Sequence, residues 1–217
     1  MAITVRDYQG RVNGIFGREV LTVDGMMGPN TRKGIADAMS RKGVRRKEDL
    51  FDRGVRGVVW HWTAGANGII ELEKDHYNFL HDTKGNTYDG NHTVASQVRY
   101  DWRKGVGASH TKGMNTGWIG ESLDAMAGAN GWPMDWGSHP ITWEGIDAML
   151  EHTWDMCQEY DIPVSRWTTL SHAEVQPTLG IKQRNKWDYM VLPGDSKPRD
   201  AVRVGDELRE RMVKRFG

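Results

Sequence analysis

The sequence predicts an α/β fold, with a central mixed β-sheet flanked by helices and preceded by a small all-α helical unit. Three observations lead there. Short runs of β-branched and aromatic residues, such as Val58-Val59-Trp60, alternate along the chain with segments of 3.6-residue periodicity, the pattern of helices packed on a sheet. Residues 1–50 show helical spacing of their own. A charge-rich stretch, residues 42–56, separates them from the rest, so a helical unit at 1–50 and a second domain at 51–217 are expected. A chain of 217 residues has room for one medium domain with a small appendage.

The elements follow in order. Val5, Tyr8, Val12 and Ile15 recur at helical spacing. Asp24-Gly25 and Gly28-Pro29 are turn chemistry, after which Asn30 or Thr31 is expected to cap a second helix carrying Ile35, Ala38 and Met39 on one side. Arg45-Arg46-Lys47 reads as a solvated face of the linker. Residues 57–63 form a buried strand, residues 69–75 a short helix, and residues 77–88 a hairpin turning at Thr83-Lys84-Gly85-Asn86.

Residues 118–123 read as another central strand. Gly128, Gly131, Pro133, Gly137 and Pro140 exclude regular structure throughout 125–140, which is expected to be a loop beside the cleft. Ile146, Met149, Leu150, Thr153, Trp154, Met156 and Cys157 mark a long helix over 142–160 that should cover one sheet face. Residues 168–171 are a short strand delivering His172. Val202, Leu208, Met212, Val213 and Phe216 make the final segment, 199–216, an amphipathic helix.

Composition narrows the function classes. Lys and Arg total 29 and Asp and Glu 29, a net charge of +0, which argues against a nucleic-acid partner. A mean hydropathy of -0.66, with no apolar run approaching about 18 residues, excludes a membrane-spanning helix. Met1-Ala2-Ile3-Thr4-Val5-Arg6-Asp7 has neither a basic nor an apolar leader region, so no secretory signal is expected. The single cysteine, Cys157, permits no internal disulfide, and among Trp154, Met156 and Tyr160 it reads as a core residue.

Two distant segments carry the chemistry. His61 ends the apolar run Val58-Val59-Trp60; Ser171-His172-Ala173-Glu174 offers a second imidazole, and Lys186-Trp187-Asp188 a carboxylate. Two imidazoles and one carboxylate are three Zn²⁺ ligands, leaving the fourth tetrahedral position open, which means hydrolysis rather than structural support. Lys186 would set a fixed positive charge where an oxyanion develops. Taken alone, His61 reads as a buried strand histidine and Lys186 as part of a solvated basic stretch; their combination favours the site.

Further matches occur in one order. Tyr77-Asn78-Phe79-Leu80-His81-Asp82 and Lys84-Gly85-Asn86-Thr87-Tyr88 precede Ala108-Ser109-His110, Asn115 and Ile119-Gly120. Together with the ligand set, residues 55–195 resemble the type-2 N-acetylmuramoyl-L-alanine amidases, which include many phage endolysins and the peptidoglycan recognition proteins. The resemblance implies hydrolysis of the amide between muramic acid and L-alanine of peptidoglycan. It implies one Zn²⁺ per chain on His61, His172 and Asp188, with Lys186 at the oxyanion. It places His110 near the substrate, and Asn115 and Thr63 are expected to line the cleft.

The partner of the attacking water is open between two residues. The family pattern "Ile-Gly-x-Glu" is here Ile119-Gly120-Glu121-Ser122, with the glutamate one position early. A one-residue slip in a strand turns a side chain to the other face unless a bulge re-aims it. Phage relatives without that glutamate use a hairpin tyrosine, matched by Tyr77, which therefore ranks ahead of Glu121. His76, His81, His92, His139 and His152 match no role and read as structural or exposed.

In the N-terminal unit, Val23-Asp24-Gly25 followed by Gly28 and Thr31 resembles the peptidoglycan-binding type-1 domain. The two resemblances together imply a monomeric endolysin that accumulates in the host cytoplasm and reaches the wall once a holin opens the membrane. A non-catalytic recognition module is the second reading, disfavoured because all three ligands are present. A cytosolic amidase recycling anhydro-muropeptides is the third, disfavoured because a soluble substrate needs no wall anchor.

Overall fold

A computed structural model describes residues 3–51 and 54–217; Met1 and Ala2, and Asp52 and Arg53 of the expected linker, lie outside the described residues. Helix α1 (Val5–Phe16) opens on a capping box, in which the Asp7 N–H donates to Thr4 Oγ1 at 3.2 Å and the Thr4 N–H to the Asp7 carboxylate at 2.7 Å. Helix α2 spans Pro29–Lys42. Its N-cap is Gly28 rather than Asn30 or Thr31, because Pro29 suits the first helical position, where an N–H would have no partner. The turn before it is held from α1: Gln9 Nε2 donates to Asp24 Oδ1 at 2.7 Å, and the Gly25 N–H donates to Gln9 Oε1 at 2.8 Å. Tyr8, Val12, Ile15, Leu21, Ile35, Ala38 and Leu50 enclose an apolar cluster of their own.

The remaining elements are β1 (Gly57–Trp62), α3 (Glu71–His76), β2 (Phe79–His81), β3 (Thr87–Asp89), α4 (Val94–Val98) and β4 (Trp118–Leu123). Then come β5 (Asn130–Gly131), β6 (Met134–Asp135), α5 (Trp143–Glu159), β7 (Thr169–Ser171), α6 (Val175–Leu179) and α7 (Ala201–Phe216). The expected loop at 125–140 thus contains a small antiparallel hairpin, β5–β6. The main sheet has five strands in the order β3-β2-β4-β1-β7. β2, β4, β1 and β7 run parallel and β3 closes the edge antiparallel, so the sheet is mixed, as expected.

Parallel central strands are covered on both faces, and β1 and β4 are buried along their whole length. On one face Val58, Trp60, Trp62, Ile119 and Leu123 belong to a core with Ile146, Met149 and Leu150 of α5 and Leu208 and Met212 of α7. On the other, Val59, Trp118 and Leu170 cluster with Met114, Val175 and Leu179. α1 approaches that second face, with Gly10 facing Leu179 and Gly14 facing Thr168. A groove of about 860 Å³ lies there, bounded by α1 and residues 112–116. Cys157 is buried, and burial, helped by the charge of Glu121, pushes its thiol up to about 12. No helix of the described residues is long and apolar enough to cross a membrane.

Candidate metal centre

The parallel register brings two of the expected ligands together, and a loop supplies the third. His61, near the end of β1, pairs with Ser122 of β4, while Trp60 pairs with Ser171, the last residue of β7. A 3-10 turn, His172–Glu174, begins at once, fixed by the Ser171 N–H donating to Glu174 Oε2 at 2.8 Å. Glu174 is anchored in turn by Arg209 of α7, whose guanidinium lies 2.7 Å from Oε1 and also donates to the Thr169 carbonyl at 2.6 Å. His172 is thereby released beside His61. Asp188 arrives from the connection between α6 and α7. Its neighbour Tyr189 has φ 57°, an uncommon conformation for a bulky residue. The Tyr189 hydroxyl donates to the His61 carbonyl at 3.1 Å, which ties this backbone to β1.

His61 Nδ1 and His172 Nδ1 are 3.0 Å apart, and Asp188 Oδ1 lies 3.8 Å from His61 Nδ1. All three residues are buried, and their ligand atoms lie within 4.8 Å of one another. The next shell shows which His61 nitrogen is free. His110 Nε2 is 3.0 Å from the Trp118 carbonyl, which can only accept, so it carries the proton. His110 Nδ1 then holds a lone pair, with the Thr111 hydroxyl at 3.0 Å and His61 Nε2 at 3.1 Å as its donors; a proton on His61 Nε2 leaves the His61 Nδ1 lone pair aimed at His172. Gly120 makes room for this stack, since a Cβ there would lie 2.5 Å from His110 Cγ.

Electrostatics keep the imidazoles neutral. Burial, and then the charges of His172, His110 and Lys186, hold His61 well below the ordinary imidazole range. Burial outweighs a hydrogen bond to the Trp118 carbonyl and holds His110 down to about 3. Burial also lowers His172, against the opposing charge of Asp188. Neutral imidazoles with converging lone pairs beside a carboxylate repel one another unless a cation joins them, so the donor set fits Zn²⁺.

The other expected site residues divide. Tyr77 is half-buried, its ring centroid 5.1 Å from that of His61. Burial, then the charge of Asp188, raises its phenol, with Ser122 pulling the other way; Tyr77 therefore stays protonated and can donate. Lys186 is exposed, and its charge acts on both His61 and His172. It borders a cleft of about 470 Å³ together with Ala173, Gln176 and Gln183.

Asn115 is buried and braces the turn, its Oδ1 accepting from the Thr111 N–H at 2.7 Å. Thr63 donates to Asp124 Oδ1 at 3.0 Å and accepts from the Gly65 N–H at 2.8 Å. These side chains, like His110, have internal partners.

Glu121 is corrected. β4 runs in unbroken register from Trp118 to Leu123, so Ser122 shares the face of His61 while Glu121 points to the α5 side. There it is fully buried. It lies 3.2 Å from both His81 Nε2 and His152 Nδ1, and accepts from Thr153 Oγ1 at 3.1 Å. Burial pushes the carboxyl up, but the charge of His152 and the bonds from both imidazoles outweigh it and hold Glu121 at about 2. His81 and His152, expected to be structural or exposed, are structural members of this network. Its members sit on separate elements, and only the sheet register brings them together.

No family model matches the sequence, and no curated protein does. Solved structures similar to it include two amidases. N-acetylmuramoyl-L-alanine amidase LysC from Clostridium intestinale URNW is 15% identical with a TM-score of 0.44, over 75% of this chain and 87% of that one. Endolysine N-acetylmuramoyl-L-alanine amidase LysCS from the same source is 14% identical with a TM-score of 0.44, over 75% of this chain and 86% of that one.

Proposed function

We propose that the chain is a zinc-dependent N-acetylmuramoyl-L-alanine amidase of the endolysin type, which cleaves the amide between muramic acid and L-alanine in peptidoglycan. The observation that carries this reading is the convergence of His61 Nδ1, His172 Nδ1 and Asp188 Oδ1 beside Tyr77 and within the field of Lys186.

His61, His172 and Asp188 would hold one Zn²⁺. When bound, the metal supplies Lewis acidity to water and to the amide carbonyl. The chain's own groups do the rest. His110 keeps His61 a neutral donor through a hydrogen bond at 3.1 Å. Tyr77, protonated at neutral pH, donates from its hydroxyl to an oxygen in the cleft and holds it for attack. Lys186 brings a fixed positive charge to the side where the oxyanion forms.

Residues 1–50 would be a wall-binding unit that raises the local concentration of the enzyme on an insoluble polymer. In this reading the enzyme acts as a monomer, accumulates in the host cytoplasm and reaches the wall after release. Mass spectrometry of digested peptidoglycan tests the chemistry. New L-alanine amino termini without new reducing sugar ends are expected; new reducing ends would mean a glycosidase.

A further inference from the structure

The second ligand, His172, has its own brace, and sequence patterns do not announce it. Its Nε2 lies 3.0 Å from Gln183 Oε1. An amide can face either way, so its orientation must come from its other end. Gln183 Nε2 is 3.0 Å from the Lys112 carbonyl, which can only accept, so the NH₂ group belongs there and the oxygen faces His172. That oxygen only accepts, so the proton of neutral His172 sits on Nε2 and its lone pair on Nδ1, towards His61. The Gln183 backbone is pinned as well, its N–H donating to Gln176 Oε1 at 2.9 Å.

We propose that Gln183 is a positioning residue that locks His172 in the Nε2–H tautomer, and that residues 110–112 thereby brace both imidazoles of the centre. His110 sets His61 directly, and the Lys112 carbonyl, two positions on, sets His172 through the Gln183 amide. Ligands from β1 and from the turn after β7 thus share one support, although Lys112 and Gln183 are 71 positions apart. Such outer partners fix ring orientation and ligand basicity. The proposal rests on the metal reading for its purpose, but the tautomer it assigns belongs to the metal-free chain.

The test uses the full chain and two variants. In metal-free wild type, long-range ¹⁵N–¹H correlation spectra should show His172 with its proton on Nε2. In Gln183→Leu a substantial Nδ1–H population should emerge, and Zn²⁺ affinity, measured by chelator competition, should fall roughly 10–100-fold. Gln183→Glu retains the acceptor and should keep the tautomer, but it cannot donate to the Lys112 carbonyl, so its affinity should fall between those of wild type and Gln183→Leu. A purely structural role would lower the melting temperature of metal-free Gln183→Leu and leave its imidazole spectrum unchanged, which overturns the proposal. An unchanged tautomer with unchanged affinity overturns it too. If wild type binds no Zn²⁺, the metal reading fails, and the spectra still decide what Gln183 does.

Discussion

His61 and His172 present their Nδ1 atoms to each other at 3.0 Å across 111 positions of sequence. Neither nitrogen has a proton to offer the other. Removing either imidazole of a cation site removes a ligand, so His61→Ala or His172→Ala should abolish Zn²⁺ binding and peptidoglycan cleavage. Wild type at a hundredfold excess of Zn²⁺ over Kd should gain about 2.7 kcal/mol of stability, and neither variant should gain any. Full metal content in His172→Ala, measured by elemental analysis, would take that residue out of the site.

Lys186 acts by charge from an exposed position, so Lys186→Ala should retain Zn²⁺ and lose roughly 10²–10³-fold in kcat. Near-normal kcat would reduce it to a solvated surface residue.

Tyr77 and Glu121 lie on opposite faces of the sheet, so their variants should separate cleanly at equal metal occupancy. Tyr77→Phe should lower kcat at least tenfold, about 1.4 kcal/mol in the barrier. Glu121→Gln should leave the metal and the chemistry in place and lower the melting temperature. A large loss of kcat in Glu121→Gln with none in Tyr77→Phe would reverse this assignment.

The Glu121–His152 pair predicts a pH window. Glu121 is held at about 2, so its contribution is present above the unfolded carboxyl value and is lost as pH falls towards 2. His152 is raised: burial lowers it, but the charge of Glu121 and their hydrogen bond outweigh that. Its contribution is complete below the unfolded imidazole value and is lost as pH rises through its raised one. The pair therefore stabilises most between about pH 4.3 and 6.5. His152→Phe strips Glu121 of its cation and should cost on the order of 3 kcal/mol there. Parallel pH–stability curves for variant and wild type would exclude the pair as the cause.

Gly120→Ala should disturb the centre without touching a ligand. A methyl 2.5 Å from His110 Cγ has to push the imidazole off β4, which frees His61 to change tautomer. Zn²⁺ affinity should drop by at least tenfold while far-ultraviolet circular dichroism stays that of the wild type. Unchanged affinity would mean His110 does not orient His61.

What the sequence made legible follows from which forces are local. β1, β4 and α5 were readable because burial imposes a period on the residues themselves, and β4 matches the expected 118–123. The opposite face of Glu121 was readable on the same ground, as the consequence of a strand without a bulge. The cap of α2 was misplaced because two polar residues after Pro29 outweighed the proline's own preference for the first turn. β5–β6 was missed because two-residue strands carry no period. The roles of His110 and Gln183, and the His81–Glu121–His152 network, depend on which groups meet after folding, and nothing near them in the chain records that.

The bond from the Tyr189 hydroxyl to the His61 carbonyl has a consequence for exchange kinetics. It joins the strand that carries one ligand to the residue after another, and it involves no ligand atom. Emptying the centre leaves that rivet in place, so the frame has no cause to spring open when the ion departs. Loss and recapture should be fast, reversible events with no refolding lag or hysteresis, and amide exchange in β1 should stay equally slow before and after chelation.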